Sequence, residues 1–446
     1  MSETPPVHFD PESMKTHTPE TGINVGIALA TLHKRIVVGM DLMKSSHMMR
    51  DAIVSGMLSQ GADVIDIGVA SAPVVADAAH LGDCAVFVSG SEHYNDISGY
   101  VIFDRDGSPY TAKDLRAMET SVNNRPLATS NVGMIHRHLN ATDEYMRRVI
   151  AENRPAPGCS MVVDCRCGVC SDTVPSALNA LGVEVLSING HKDPEFIPKD
   201  VGMSDHEFDD MERMVGDASG YIGIRMNPSG SNMTLLDENG SVVNAWKTMA
   251  LLVAYLKPGK LILPLDVSTV VEDVFNGKLS IPVNTDHAPS DDEPTLTIMG
   301  MASSSVCDEF TRQDADLAIC RAGMVFRGLN APDGLRAAIA ISHMSCENSI
   351  HRLAEAIPDM QRDMKRIHID CSPDVIARNL NASMPLIESE RYTCQDGWRV
   401  DLKEGWFLIL PPVNGEVELI AEAPDKAYLV GLMEIGEDLI RDCSTD

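Results

Sequence analysis

The sequence predicts an α/β protein of several domains, and three observations carry that prediction. A unit of apolar strand, aspartate, small polar loop, helix and second strand occurs three times at roughly domain-sized spacing. After Met364 the unit stops, and short strands with turn signals take over. At 446 residues the chain also exceeds what a single core normally holds. The expected fold is three related α/β/α domains followed by a smaller C-terminal α+β domain.

After a polar leader ending near Thr21, the first unit opens with the β-branched strand Arg35 to Gly39, which ends at Asp41. A helix over Ser45 to Gln60 and a strand over Ala62 to Ile67 follow. The second unit has a strand at Met161 to Val163, Asp164, a helix over Asp172 to Leu181 and a strand over Val183 to Ile188. In the third, Leu261 to Leu265 leads to Asp266, a helix over Ser268 to Phe275 and a strand over Leu279 to Val283. The three aspartates suit loop or helix-cap positions. Met249 to Tyr255 is too short to span a membrane and reads as a buried helix. The last part holds a strand (Arg366 to Ile369), a helix (Pro373 to Ala382), short strands and a terminal helix (Lys426 to Arg441). Pro155 to Gly158 and Pro258-Gly259 are candidate boundaries, and the expected domains are 1–138, 139–257, 258–362 and 363–446.

Thirty-six basic against sixty-five acidic residues give a net charge of −29. That balance argues against nucleic acid and anionic membranes as partners, and an anionic ligand would need local positive charge. The N-terminus shows neither a basic n-region nor an apolar core, and the eleven scattered cysteines read as reduced thiols, so a cytoplasmic location is expected. Cys165, Cys167 and Cys170 lack a fourth ligand at standard zinc spacing, so buried free thiols are expected there, not a metal centre.

The stretch from Val86 to Phe103 is where chemistry would sit. The strand Cys84 to Val88 breaks into Ser89-Gly90-Ser91-Glu92-His93 and becomes strand-like again at Tyr100. Ser91 is thereby presented at a strand end, where open α/β sheets bind ligands. Taken alone, the turn reads as an ordinary solvated loop, and the rest of the chain is what singles out Ser91.

Together with that turn, VVGMDLMKSS (37–46), GADVIDIG (61–68), VVDCRCGVCSDTVPSALNALGVEVLSIN (162–189), LLDENG (235–240), LILPLDVS (261–268) and NAPDGLRAA (330–338) resemble the α-D-phosphohexomutase superfamily, the phosphoglucomutases and phosphomannomutases. The resemblance implies four domains around a central cleft and transfer of a phosphoryl group between sugar hydroxyls through a phosphoserine. It also implies Mg²⁺ on three aspartates, a sugar-reading loop in the third domain and a phosphate-binding loop in the fourth.

The chemistry departs from that pattern residue by residue. Ser91 falls at the phosphoserine position, but Val101 replaces the lysine usual after it, and Met43 replaces the arginine expected after Asp41. The metal loop falls on 227–232, with Asn227, Ser229 and Ser231 at the three ligand positions. The sugar loop falls on 319–323, without its carboxylate and hydroxyl, and the phosphate loop near 410–415, without its arginine and hydroxyls. Mg²⁺ favours sites that include carboxylates, so no metal and no other cofactor is expected.

In exchange, Lys44, His93, Arg225, Arg321 and Arg327 lie in or beside the same loops. Either they converge to bind a phosphate or carboxylate, or several are ordinary surface residues. Two functions follow from the resemblance. One is a member that binds a hexose phosphate or related anion without conventional mutase activity, with a regulatory role and a protein partner left open. The other is an active phosphohexomutase using Ser91 with rearranged loops.

Overall fold

The first repeated unit supplies the middle of a five-stranded sheet. Arg35–Met40 (β1) pairs in parallel with Asp63–Val69 (β2) and Cys84–Gly90 (β3). Ser98–Asp104 (β4) joins β3 antiparallel, and Ile135–Arg137 (β5) joins β2, giving the order β4-β3-β1-β2-β5. All of β1 after Arg35 is buried, as a strand covered on both faces requires. One of its covers is a pair of helices, Pro19–Leu32 and Lys44–Ser59. A side chain at Gly26 or Gly56 would collide with the backbone of the facing helix at Ile53 or Ile23, so this pair packs backbone to backbone. The computed structural model describes residues 18–90, 98–123, 131–195, 209–218, 220–288, 293–413 and 415–444.

The second unit repeats the topology. Ser160–Asp164 (β6) lies between Glu184–Ile188 (β7) and Ile222–Met226 (β8), both parallel to it. Met233–Leu236 (β9) then turns back antiparallel on β8, and Val242–Val243 (β10) pairs with β9. The order β9-β8-β6-β7 matches β4-β3-β1-β2 strand for strand.

The chain divides into two compact units. One comprises 1–245, 307–318 and 322–351, the other 246–306, 319–321 and 352–446. The strands Lys260–Pro264 (β11), Thr295–Met299 (β12), Leu317–Cys320 (β13) and Gly323–Phe326 (β14) are shared out between them. Within the second unit β11 pairs in parallel with β12. The strand expected over Leu279 to Val283 does not form. Pro282 has no N–H for a ladder, residues 281–288 are irregular, and β12 takes that place beside β11.

The C-terminal part is an antiparallel sheet, Gln361–His368 (β15), Arg391–Gln395 (β16), Gly397–Leu402 (β17), Gly405–Ile409 (β18) and Glu416–Ala423 (β19), in the order β15-β19-β18-β17-β16. One face packs Val400, Phe407 and Leu419 against the helices Pro373–Ser383 and Lys426–Cys443. The other places Trp406, Leu408 and Ile420 against Leu265 and Met301. Among the described residues no helix is long and apolar enough to cross a membrane.

The expectation of reduced thiols fails at one pair. Cys159 and Cys346 form a disulfide, with Cα atoms 5.1 Å apart, while the other nine cysteines are free. Their separation of 187 residues explains why spacing could not reveal the pairing.

Candidate functional site

Within the first compact unit, two of the repeated loops form around aspartates, Asp41 and Asp164. Asp41 accepts from Met43 N (2.9 Å), from Gly90 N (2.8 Å) and from Ser89 Oγ (2.7 Å). It thereby ties the end of β1 to the end of β3. Ser91 and His93, which follow, lie outside the described residues. Asp164, at the end of β6, accepts from Arg166 N and Asn189 Nδ2, both at 2.9 Å, and from Arg225 Nε at 2.7 Å.

The loop after β8 holds the positions expected of a metal cradle, and it closes on itself. Asn227 Nδ2 donates to Ser229 Oγ and to Ser231 Oγ, each at 3.0 Å, and the two hydroxyls are 3.0 Å apart. The amide oxygen of Asn227 accepts from Asn232 N at 3.0 Å. Backbone carbonyls of the same loop are taken by neighbouring segments, Ser229 O by Ala72 N (2.8 Å) and Gly230 O by Gly334 N (3.0 Å). Gly230 is left-handed (φ 77°), and a side chain there would strike Cys170 and Ser71. The donor set does not fit Mg²⁺. It carries no carboxylate, and its amide N–H and hydroxyls are spent on one another. Among the described residues no group of three or more His, Cys, Asp or Glu side chains is placed to hold a metal ion.

Within the first unit, Arg225, Lys44 and Arg327 do not share one focus. Arg225 is committed to Asp164, the exposed Lys44 to Glu195, and Arg327 to Asp316 (2.8 Å) and Asp314 (3.4 Å). In the second unit Arg321 faces Asp266 at 3.7 Å and Glu418 at 3.8 Å, both beyond hydrogen-bond distance.

Sequence reasoning missed the companions of Arg321. Arg366 Nε approaches the other oxygen of Glu418 at 3.6 Å, and Arg362 donates to Asp266 O (2.8 Å) and Oδ2 (3.3 Å). Arg362 and Arg366 are four apart on β15, on one face, directly opposite Glu422 and Glu418 of β19. That period-two spacing was the available signal. Leu410, which opens the expected phosphate loop, donates its N–H to Glu418 O at 2.9 Å. Arg321 and Arg366 are half or more exposed, while burial between Trp246 and Trp406 lowers the pKa of Arg362.

Cys165, Cys167 and Cys170 are all buried at the end of β6. Burial pushes Cys165 and Cys170 up to about 12, so these thiols stay protonated near neutral pH.

A family model described as phosphoglucomutase/phosphomannomutase, alpha/beta/alpha domain I, matches residues 12–128. The "Probable phosphoglucosamine mutase" of Methanocella arvoryzae is 28% identical over 434 residues, covering 96% of this chain and 95% of that one. The domain match and the full-length similarity together support membership of the α-D-phosphohexomutase superfamily. A phosphoglucomutase/phosphomannomutase family protein of Burkholderia thailandensis shares the four-domain phosphohexomutase fold. Its TM-score is 0.78 at 17% identity, over 96% of this chain and 94% of that one. A more distant superfamily structure is N-acetylphosphoglucosamine mutase of Aspergillus fumigatus, in complex with GlcNAc-6P and magnesium. It matches at TM-score 0.54 and 9% identity, over 99% of this chain and the whole of that one.

Proposed function

We propose that this superfamily member binds a hexose phosphate or related anion without Mg²⁺ and is not a conventional phosphohexomutase. The observation that carries the reading is the closed, neutral ring of Asn227, Ser229 and Ser231 at the metal-ligand positions. Removing one electrostatic stabiliser of a transition state typically costs about 10²–10³ in rate. Here the metal carboxylates, the phosphate-loop arginine and the sugar-loop carboxylate are absent together. Anion recognition would fall to arginines, which bond phosphate with two donors at once. Arg321 and Arg366, straddling Glu418 with their donors beyond hydrogen-bond distance of it, are the best-prepared pair. That the Aspergillus neighbour binds GlcNAc-6P favours a phosphosugar as the ligand class.

The second reading, a working mutase through Ser91, is favoured by the relatives, which are named as phosphoglucosamine mutases. One experiment separates the two. Calorimetric titration with hexose 1- and 6-phosphates, in Mg²⁺ and then in EDTA, is paired with an assay for interconversion of the isomers. Binding unchanged by EDTA, with no interconversion, is expected. Mg²⁺-dependent interconversion, with phosphate on Ser91 by intact mass, would establish the mutase instead.

A further inference from the structure

We propose that Cys159 and Cys346 are a reversible thiol–disulfide clamp, which fixes the C-terminal turn of the helix Gly334–Glu347 onto the segment leading into β6. Three contacts already join the two. His343 Nε2 lies 2.8 Å from Arg154 O, Arg154 pairs with Glu347 at 3.5 Å, and the sulfurs of Cys159 and Cys346 meet. The Cα separation of 5.1 Å falls inside the usual disulfide range, so the backbone does not have to move for the bond to form.

The two ends differ in access, as a switch requires. Cys346 is exposed, whereas Cys159 is buried. Among the described residues the only other exposed cysteine is Cys394, which is free. A small disulfide oxidant therefore meets Cys346 first. The reduced state is also accommodated, because Cys159 Sγ lies 2.9 Å from Ser342 O, a ready acceptor for its S–H. Neither state leaves that sulfur in conflict with its surroundings.

With glutathione disulfide as oxidant the step balances. The Cys346 thiolate attacks one glutathione sulfur, forming a mixed disulfide and releasing one glutathione thiol. The Cys159 thiolate then attacks Cys346 Sγ and releases the second. Two protein thiols lose two electrons and two protons, and one glutathione disulfide becomes two glutathione thiols.

The opposite end of this helix explains why the clamp would matter. Gly334 N holds Gly230 O of the 227–232 loop, and Asp333 caps the helix while accepting from Tyr145 Oη at 2.6 Å. Oxidation would pin one end of a helix whose other end seats that loop.

The test equilibrates the whole protein anaerobically in glutathione buffers from reducing to oxidising, then alkylates and maps peptides by mass. A Cys159–Cys346 cross-linked peptide should appear under oxidation and vanish under reduction, with the unfolding midpoint about 5 °C higher when oxidised. Cys346→Ser should abolish that difference while matching the reduced wild type. Both thiols still alkylated in the most oxidising buffer, or glutathione left standing on Cys346, would overturn the clamp. So would a cross-link that survives full reduction, since it would be a permanent bond. No readout involves a sugar phosphate, so the outcome is independent of the proposed ligand.

Discussion

The 227–232 loop and the arginine cluster of the second unit each bring several polar groups within about 3 Å of one another, by opposite chemistry. In the loop an amide and two hydroxyls share neutral hydrogen bonds. In the second unit Arg399, fully buried, donates to Glu272 Oε1 and Asp401 Oδ1 at 2.8 Å and to the carbonyls of Leu265 and Val267. Arg391 bonds the same two carboxylates, and Trp406 lies under the Arg399 guanidinium at 4.4 Å. The difference is one of dependence. A neutral ring loses only modest hydrogen bonds when one member goes, whereas a buried ion pair leaves an uncompensated charge behind.

The largest effect is therefore expected at Arg399. Arg399→Ala should destabilise the second unit by about 3–5 kcal/mol. Urea unfolding, followed by fluorescence of the neighbouring Trp406, measures it. A loss under 1 kcal/mol would mean that Arg391 alone satisfies Glu272 and Asp401, and the contrast with the neutral loop would vanish.

Next in size comes ligand binding at the exposed edge of the same cluster. Arg321→Ala and Arg366→Ala should each weaken hexose phosphate binding about 10-fold, since a charge-assisted bond is worth about 1.5–3 kcal/mol and solvent screens part of it. Arg327→Ala, whose guanidinium is held by Asp314 and Asp316, should leave affinity unchanged. Equal losses at Arg327 and Arg366 would place the anion elsewhere.

The same contrast explains what the sequence could and could not reveal. Apolar runs marked β1 and β11 because a parallel strand buried on both faces is apolar along nearly all its length. The same signal misplaced the strand after the helix Thr269–Phe275, because an apolar run containing Pro282 mimics one. Asn227, Ser229 and Ser231 were legible as missing carboxylates, since loss of charge is a property of the residue itself. Their mutual hydrogen bonds were not, because they depend on the turn at Gly230. Arg366 was overlooked because its importance comes from Glu418, far along the chain and opposite it across a strand pair.

A smaller loss of stability than at Arg399 is expected in the loop. Asn227→Ala removes two donated bonds and the one accepted from Asn232 N, yet leaves Ser229 and Ser231 bonded to each other, so the cost should be about 2 kcal/mol by urea unfolding. Replacing Asn227, Ser229 and Ser231 together by aspartate should lower stability in EDTA and restore it in Mg²⁺. The wild type should respond to neither. A wild-type melting point raised by Mg²⁺ alone would show that the neutral ring opens to a metal.

The smallest effect is expected at neutral pH and grows only in alkali. The thiol of Cys170 lies against Gly230, and burial raises its pKa from about 9 to about 12. The unfolded chain therefore releases this proton above about pH 9, whereas the folded chain keeps it until about pH 12. The stability carried by the protonated thiol is complete below pH 9 and is lost as the pH rises toward 12. One such group costs about 1.4 kcal/mol for each pH unit above 9. Comparing wild type with Cys170→Ala by thermal unfolding from pH 7 to pH 10.5 isolates this group from the lysines and tyrosines titrating in both. The difference between them should be constant up to pH 8.5 and then shift steadily in favour of the variant. A flat difference throughout would mean that the thiolate is tolerated beside the 227–232 loop. A region that admits a thiolate without cost would not need to be neutral, and the contrast with the arginine cluster would lose its physical basis.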